Sequence, residues 1–258
     1  MCTLIALHRC FPDSPLVIAA NRDEYLDRPA EPPALRRAGP RAVLSPRDVR
    51  AGGTWLGLND AGLFAALTNR PCPSPDATRR SRGLLVDDVL ARGDAREAAA
   101  LLTRIPAAAY NPFNLFVSDG RDAFVAVYEG AVRVATLEPG AHVIGNADPD
   151  DRRVPKIARL LAEAERVAAG SAVHALDALA ARCRVHGAGA SPFEDTCIHA
   201  GGYGTRSSTL LRLDAASPEL RFADGPPCET RYDDLTPLLR ELDRESGSFR
   251  DTAERTVA

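Results

Sequence analysis

The sequence predicts an α+β fold of antiparallel sheets with helices packed on their outer faces. Strand-forming and helix-forming runs are segregated, in the order strands, helices, strands, helices, strands. Segregated runs joined by tight turns build antiparallel sheets, whereas one-by-one alternation builds parallel ones. The 258 residues, 45% apolar, are ample for a sizeable core. No repeat and no break in composition marks a boundary, so one domain is expected over residues 1–245, with a frayed polar tail at 246–258.

The elements follow in order. Apolar runs at 3–10 and 15–20, separated by Phe11-Pro12-Asp13-Ser14, read as a hairpin. Residues 28–40, rich in Pro and Arg, read as an irregular surface loop. Strands are expected near 42–45, 54–58 and 62–68, the last two joined by the turn sequence Asn59-Asp60-Ala61-Gly62. Leu84, Leu85, Val86, Val89 and Leu90 fall at helical spacing over 83–92. A second helix over 95–104 has Asp94 as its cap and Glu97 three residues on, as in a capping box. Strands at 113–118, 122–128 and 131–136 form a meander through the turns Asp119-Gly120 and Glu129-Gly130, and a short strand at 141–144 ends in Gly145-Asn146. Pro155 suits the first turn of a helix over 155–168, and Gly170 separates it from another over 171–184. A glycine-rich loop at 187–202, strands at 205–213 and 219–223, and a helix at 232–244 complete the pattern.

Composition excludes several classes. The net charge of -3 and the interspersion of Arg with Asp and Glu argue against a nucleic-acid partner. Residues 2–7 are too short and lack the preceding cationic segment of a secretory signal. No apolar run approaches the ~20 residues of a membrane span. A cytoplasmic location is expected, where thiols stay reduced, so the six irregularly spaced cysteines are expected to form no disulfides.

The chemistry centres on Cys2. A small residue after the initiator methionine permits its removal, leaving Cys2 with both a thiol and a free α-amine. With reference pKa values of about 8.5 and about 7.7–8.0, the amine can serve as base for its own thiol. The polar run Asn21-Arg22-Asp23-Glu24 follows the second apolar run directly. A hairpin returns that end beside the start of the first strand, so Arg22 and Asp23 are expected near the thiol. Arg22 suits a thiolate or an acidic substrate group, and Asp23 suits the α-amine. Asn69 and Asn146, each at a strand end, offer amide N–H donors to a developing oxyanion. Tyr203-Gly204-Thr205-Arg206-Ser207-Ser208-Thr209 sets an Arg among hydroxyls behind a double glycine. Trp55, the only tryptophan, lines the cleft beside Gly52-Gly53 or belongs to the core.

Taken together and in order, these motifs resemble the NRDE family, also known as the transport and Golgi organisation protein 2 family. The residues that carry the resemblance are Met1-Cys2-Thr3, Ala20 to Glu24, Gly52-Gly53-Thr54-Trp55, Leu67-Thr68-Asn69-Arg70, Gly145-Asn146-Ala147 before a Pro-Lys helix start, and Tyr203 to Thr209. They span roughly residues 1–230. The resemblance implies an amino-terminal-nucleophile hydrolase fold, a four-layer αββα sandwich of two antiparallel sheets flanked by helices. It further implies similarity to cysteine acylases such as penicillin V acylase and bile salt hydrolase. Carried over, the catalytic set is Cys2, Arg22, Asp23, Asn69, Asn146 and Arg206, with Asn21, Glu24, Trp55, Tyr203 and Thr205 as ligand-binding neighbours. In those acylases two residues separate the early Arg and Asp, whereas Arg22 and Asp23 are adjacent. Neighbours on a strand face opposite ways, so both can face Cys2 only if the strand has ended there.

Two functions are compatible with this set. One is a hydrolase of a linear amide (C–N) bond or an acyl thioester. The other, which the family's association with haem trafficking and acyl-lipid homeostasis implies, is a non-catalytic carrier of haem or an acyl chain in the same cleft, with Arg22 and Arg206 on haem propionates. Haem is then a ligand rather than a required cofactor, and His8 is the candidate axial donor. Cys183, His186, Cys197 and His199 offer four soft ligands within seventeen residues, but their spacing fits no zinc pattern and Cys183 lies on an apolar helix face. No metal is therefore expected. Gly201-Gly202-Tyr203-Gly204 lacks the strand-to-helix setting of a dinucleotide site, and Lys156 is not near the glycines of a phosphate loop.

Overall fold

The structure, a computed structural model, describes residues 2–187 and 189–246. The chain runs through β1 (Cys2–His8), β2 (Leu16–Tyr25), β3 (Ala30–Ala38), β4 (Arg41–Asp48), β5 (Leu56–Asn59) and β6 (Phe64–Asn69). Next come α1 (Arg82–Leu90), α2 (Ala95–Leu102), β7 (Phe113–Ser118), β8 (Ala123–Tyr128), β9 (Val132–Thr136) and β10 (Gly140–Ile144). The rest is α3 (Pro155–Ala168), α4 (Ala172–Cys183), β11 (His199–Ala200), β12 (Tyr203–Leu213), β13 (Glu219–Ala223), β14 (Asp233–Asp234) and α5 (Thr236–Ser246). The α+β class with two antiparallel sheets is as expected, and no helix among the described residues is long and apolar enough to cross a membrane.

The described residues divide into two compact units. The first joins the chain up to Arg28 with Pro139–Pro237, and the second joins Pro29–Glu138 with the chain from Leu238. In the first unit the strand order is β10-β1-β2-β12-β13-β14, with β11 paired to β12. β1 therefore has a partner on each side although it stands at the start of the sequence. α3 packs on β10 and β1, and α4 packs on β2 and β12. Ile157, Leu160, Leu161 and Ala164 recur at the spacing of one helical stripe, and that stripe is buried. It meets Ile5, Leu7, Val17, Ala19 and Val143 from the strands. Odd-numbered residues of β1 and β2 thus face the helices, and even-numbered ones face the other way.

The second unit is a meander of seven strands, β3 to β9 in chain order, with α1 and α2 packed on it. Its core gathers Leu63, Ala65 and Leu67 of the β6 region, Phe113, Leu115 and Val117 of β7, and Leu85, Val86, Val89 and Leu90 of α1. Gly53 has a packing reason to be glycine. A Cβ placed on it would stand 2.2 Å from the carbonyl carbon of Gly83, so only glycine lets the start of α1 approach this closely.

Three expectations are corrected. The Pro- and Arg-rich stretch is not a loop but forms β3. It is an edge strand, and its register with β4 breaks between Glu31 and Ala34, so Pro32 and Pro33 sit at an irregularity where a missing N–H costs no ladder bond. β2 does not end before the polar run but continues to Tyr25. The last helix starts at Thr236 because Asp233–Asp234 pairs with β13 instead. The expected frayed tail lies, beyond Ser246, outside the described residues.

The Gly53 contact gives a stability test. Gly53→Ala should cost on the order of 3 kcal/mol through overpacking, or ~5–10 °C in the midpoint of thermal unfolding at this chain length. Gly202→Ala, where an added Cβ meets nothing within 4 Å, should leave that midpoint unchanged.

Candidate active site

The site is built by register. β1 and β2 pair antiparallel with Cys2 opposite Arg22 and Thr3 opposite Asn21. Directly paired residues share a face, so the thiol and the guanidinium lie on the same side of the sheet. On the other flank of β1, Leu4 pairs with Ile144 of β10. β10 ends at Ile144, and the half-buried Asn146 follows two residues later, in the bend that leaves this end of the strand. The start of β1 is thus paired with Arg22 of β2, and the Asn146 segment leaves β10 beyond the Leu4–Ile144 pair.

Because β2 continues to Tyr25, Arg22 and Asp23 point to opposite faces. Both are buried, at 5% and 1% exposure. Arg22 shares the face of Cys2. Asp23 turns to the helix side and meets the thiol through its backbone N–H, which donates to the sulfur. Its carboxylate is held from β12: the Thr205 hydroxyl donates to Asp23 Oδ1 at 2.6 Å and accepts from the Ile198 N–H at 2.8 Å. The Tyr203 hydroxyl donates to the Asp23 carbonyl at 2.8 Å. Thr205 pairs with Asp23 and Ser207 with Arg22, so Arg206 is the extra residue of a bulge. The bulge brings Thr205 opposite Asp23 while leaving Ser207 on the face of Arg22. Arg206 is half-buried, and its Nε has no hydrogen-bond partner among the described residues.

Sequence reasoning passed over Lys156. It is the only lysine among 32 basic residues and follows Pro155 in the first turn of α3. There it interacts electrostatically with Asp23, Cys2 and Asp195, and burial lowers its pKa. The available signal was compositional: a chain that otherwise uses only arginine carries its one lysine here. Burial also pushes Asp23 up to about 6, against the opposing pull of Lys156 and the Thr205 hydrogen bond. Burial raises the Cys2 thiol as well, opposed by the Asp23 amide and by Arg22.

The other predicted residues fall as follows. Both N–H groups of Asn21 are bound to backbone carbonyls, of Cys183 and Thr196, each at 2.9 Å, so this amide ties β2 to the end of α4. Glu24 accepts from the Tyr25 N–H and pairs with Arg28 at 3.6 Å. His8 is fully buried on β1, six residues along the strand from Cys2. Asn69, the last residue of β6, and Trp55, half-buried just before β5, belong to the second unit.

Comparison with known proteins shows the fold and the family. Penicillin V acylase from Agrobacterium tumefaciens superposes with a TM-score of 0.58 at 16% identity, over 95% of this chain and 89% of that one. A conjugated bile acid hydrolase from Clostridium perfringens gives 0.54 at 14% identity, over 94% of both chains. The Caenorhabditis elegans ortholog of N-acylethanolamine-hydrolyzing acid amidase gives 0.53 at 14% identity, over 82% of this chain and 92% of that one. These likenesses show the amino-terminal-nucleophile hydrolase fold. Among curated proteins, the Transport and Golgi organization protein 2 homolog of Bos taurus is 28% identical over 235 residues, covering 78% of this chain and 82% of that protein. The human homolog is 29% identical over 228 residues with the same coverage. The profile of one family, Transport and Golgi organisation 2, matches residues 1–224, and the chain belongs to that family.

Proposed function

We propose that this protein is an amino-terminal cysteine hydrolase acting on an amide C–N bond or an acyl thioester, with Cys2 as its nucleophile. The observation that carries the reading is the placement of Cys2 opposite Arg22, with the Asp23 amide on its sulfur. Neighbours of the same fold are named as an acylase, a conjugated bile acid hydrolase and an N-acylethanolamine-hydrolyzing amidase, which supports an acyl amide as the first substrate to test.

The reaction starts with removal of Met1, a residue outside the described ones. The free α-amine of Cys2 takes the thiol proton as sulfur attacks the carbonyl carbon. The tetrahedral oxyanion accepts a hydrogen bond from the Asn146 amide. Collapse breaks the C–N or C–S bond, and the proton on the amine passes to the leaving nitrogen or sulfur. Water, deprotonated by the same amine, then attacks the Cys2 thioester and releases a carboxylic acid. Asp23 orients the amine as a carboxylate. Lys156 favours the ionised forms of both Asp23 and the thiol. Arg22 and the bulged Arg206 hold the acyl group's polar end. A carrier of haem or an acyl chain would use the same arginines but would need no free amine on Cys2.

Intact mass and peptide mapping separate these readings. With sub-stoichiometric iodoacetamide at a pH of about 6.5, below the reference thiol pKa, Met1 should be absent and the label should fall on Cys2 ahead of the other cysteines. A retained Met1, or labelling no faster than at Cys72, rejects the nucleophile. Cys2→Ala should reduce turnover of the best N-acyl amide or thioester by about 10³-fold or more.

Lys156→Met removes the ammonium beside the thiol. It should slow alkylation of Cys2 about tenfold at fixed pH and raise the acid limb of the activity profile by about one unit. Retained rate and profile would remove Lys156 from the site. Asp23 gives a stability test with a defined sign. Its carboxyl titrates near 6 when folded, against 3.8 ordinarily. The folded state holds that proton more tightly, so stability is lost as pH rises from 4 towards 7. Urea titrations of wild type and Asp23→Asn should show the variant gaining about 2 kcal/mol relative to wild type over that interval.

A further inference from the structure

We propose that Cys197, His199 and Cys228 form a zinc-binding site at the edge of the first unit. Their donor atoms converge from two segments thirty residues apart in the chain. Cys197 Sγ lies 3.5 Å from Cys228 Sγ and 3.6 Å from His199 Nε2, and His199 Nε2 lies 3.1 Å from Cys228 Sγ. A tetrahedral zinc with ordinary Zn–S and Zn–N bonds sets its sulfur ligands about 3.8 Å apart and sulfur–nitrogen pairs about 3.6 Å apart. Two of the three edges match within a few tenths of an ångström, and the third needs to open by about half an ångström. One ion bonded to all three donors fits these spacings. A Cys197–Cys228 disulfide would account for the sulfurs but not for an imidazole nitrogen beside both.

The backbone holds the ligands in place independently of any ion. Ile198, between the first two ligands, donates to Thr205 Oγ1 at 2.8 Å and accepts from the Thr205 N–H at 2.9 Å. Cys197 donates to the Val185 carbonyl at 2.9 Å. His199 pairs with Gly204 across β11 and β12, and a Cβ on Gly204 would stand 2.5 Å from the Ile198 carbonyl oxygen. Glycine there is what lets the ligand segment lie against β12. Cys228 sits in a turn closed by Glu229 and Thr230 N–H groups on the Pro226 carbonyl.

Burial grades outward, from buried Cys197 through half-buried Cys228 to exposed His199. The fourth corner is left to water or to His186, whose ring centroid is 5.2 Å from that of His199. Of the four ligands considered from sequence, Cys183 is excluded: it lies in the core among Leu176, Leu179 and Leu210. Zinc here would staple the 196–199 segment to the 226–230 turn, next to the Thr205 that holds Asp23.

The test uses the untagged, reduced and chelator-stripped full chain. Cobalt(II) should bind at one ion per chain, with thiolate-to-cobalt absorption and the visible bands of tetrahedral cobalt, and one equivalent of zinc should bleach both. Cys197→Ser and Cys228→Ser should each weaken binding by about 100-fold, while Cys72→Ser leaves it intact. In the wild type, which involves no folding risk, zinc should shield Cys197 and Cys228 from maleimide and leave Cys72 reactive. The proposal falls if no ion binds at micromolar concentration, if the absorption survives in Cys228→Ser, or if zinc leaves Cys197 and Cys228 as open to maleimide as Cys72.

Discussion

The arrangement depends on β1 being an interior strand although it opens the chain. Strands at the start of a chain often lie on an edge, where they fray. Here pairing with β10 on one side from Leu4 onward and with β2 on the other from Cys2 onward fixes the register of the whole strand. A slip of one residue would exchange the Leu4–Ala6 row with the Ile5–Leu7 row, and since both rows are buried, the packing on both faces of β1 would be lost. The same constraint that places apolar side chains therefore places Cys2 against Arg22. The position of the candidate nucleophile is a by-product of core packing rather than of a dedicated loop.

The bulge at Arg206 solves a second problem. Adjacent residues on a regular strand cannot serve one point, and Arg22 and Asp23 are adjacent. The fold leaves β2 regular and lets the two side chains diverge. It supplies Asp23's backbone amide to the sulfur and brings Thr205 opposite the carboxylate. Burial raises the Asp23 carboxyl, and Lys156 and the Thr205 hydroxyl both oppose that rise.

Much of this was legible in the sequence, and the exceptions have physical causes. The hairpin was readable because apolar runs bounded by a turn have few alternatives, and it led directly to the Cys2–Arg22 pair. Its length was not, because Asn21, Arg22 and Asp23 are polar yet buried, and burial by partner residues leaves no local pattern. β3 was hidden because its prolines mimic loop composition, and edge position cannot be seen before strand order is known. Cys228 was missed as a partner of Cys197 because the contact crosses two strands. Asn21 looked available as a ligand donor, but its amide is committed to Cys183 and Thr196.

The solitary lysine has a practical consequence. Every other cationic side chain is a guanidinium or an imidazole, so a processed chain would hold two primary amines, the α-amine of Cys2 and the ε-amine of Lys156. Both belong to the candidate site. Acetylation of these amines with an isotopically labelled reagent, followed by release of any thioester with hydroxylamine, would place reporter groups there, turning the magnetic resonance spectrum of a 258-residue protein into two signals. Arginine-rich composition, uninformative about function by itself, makes the site spectroscopically isolated.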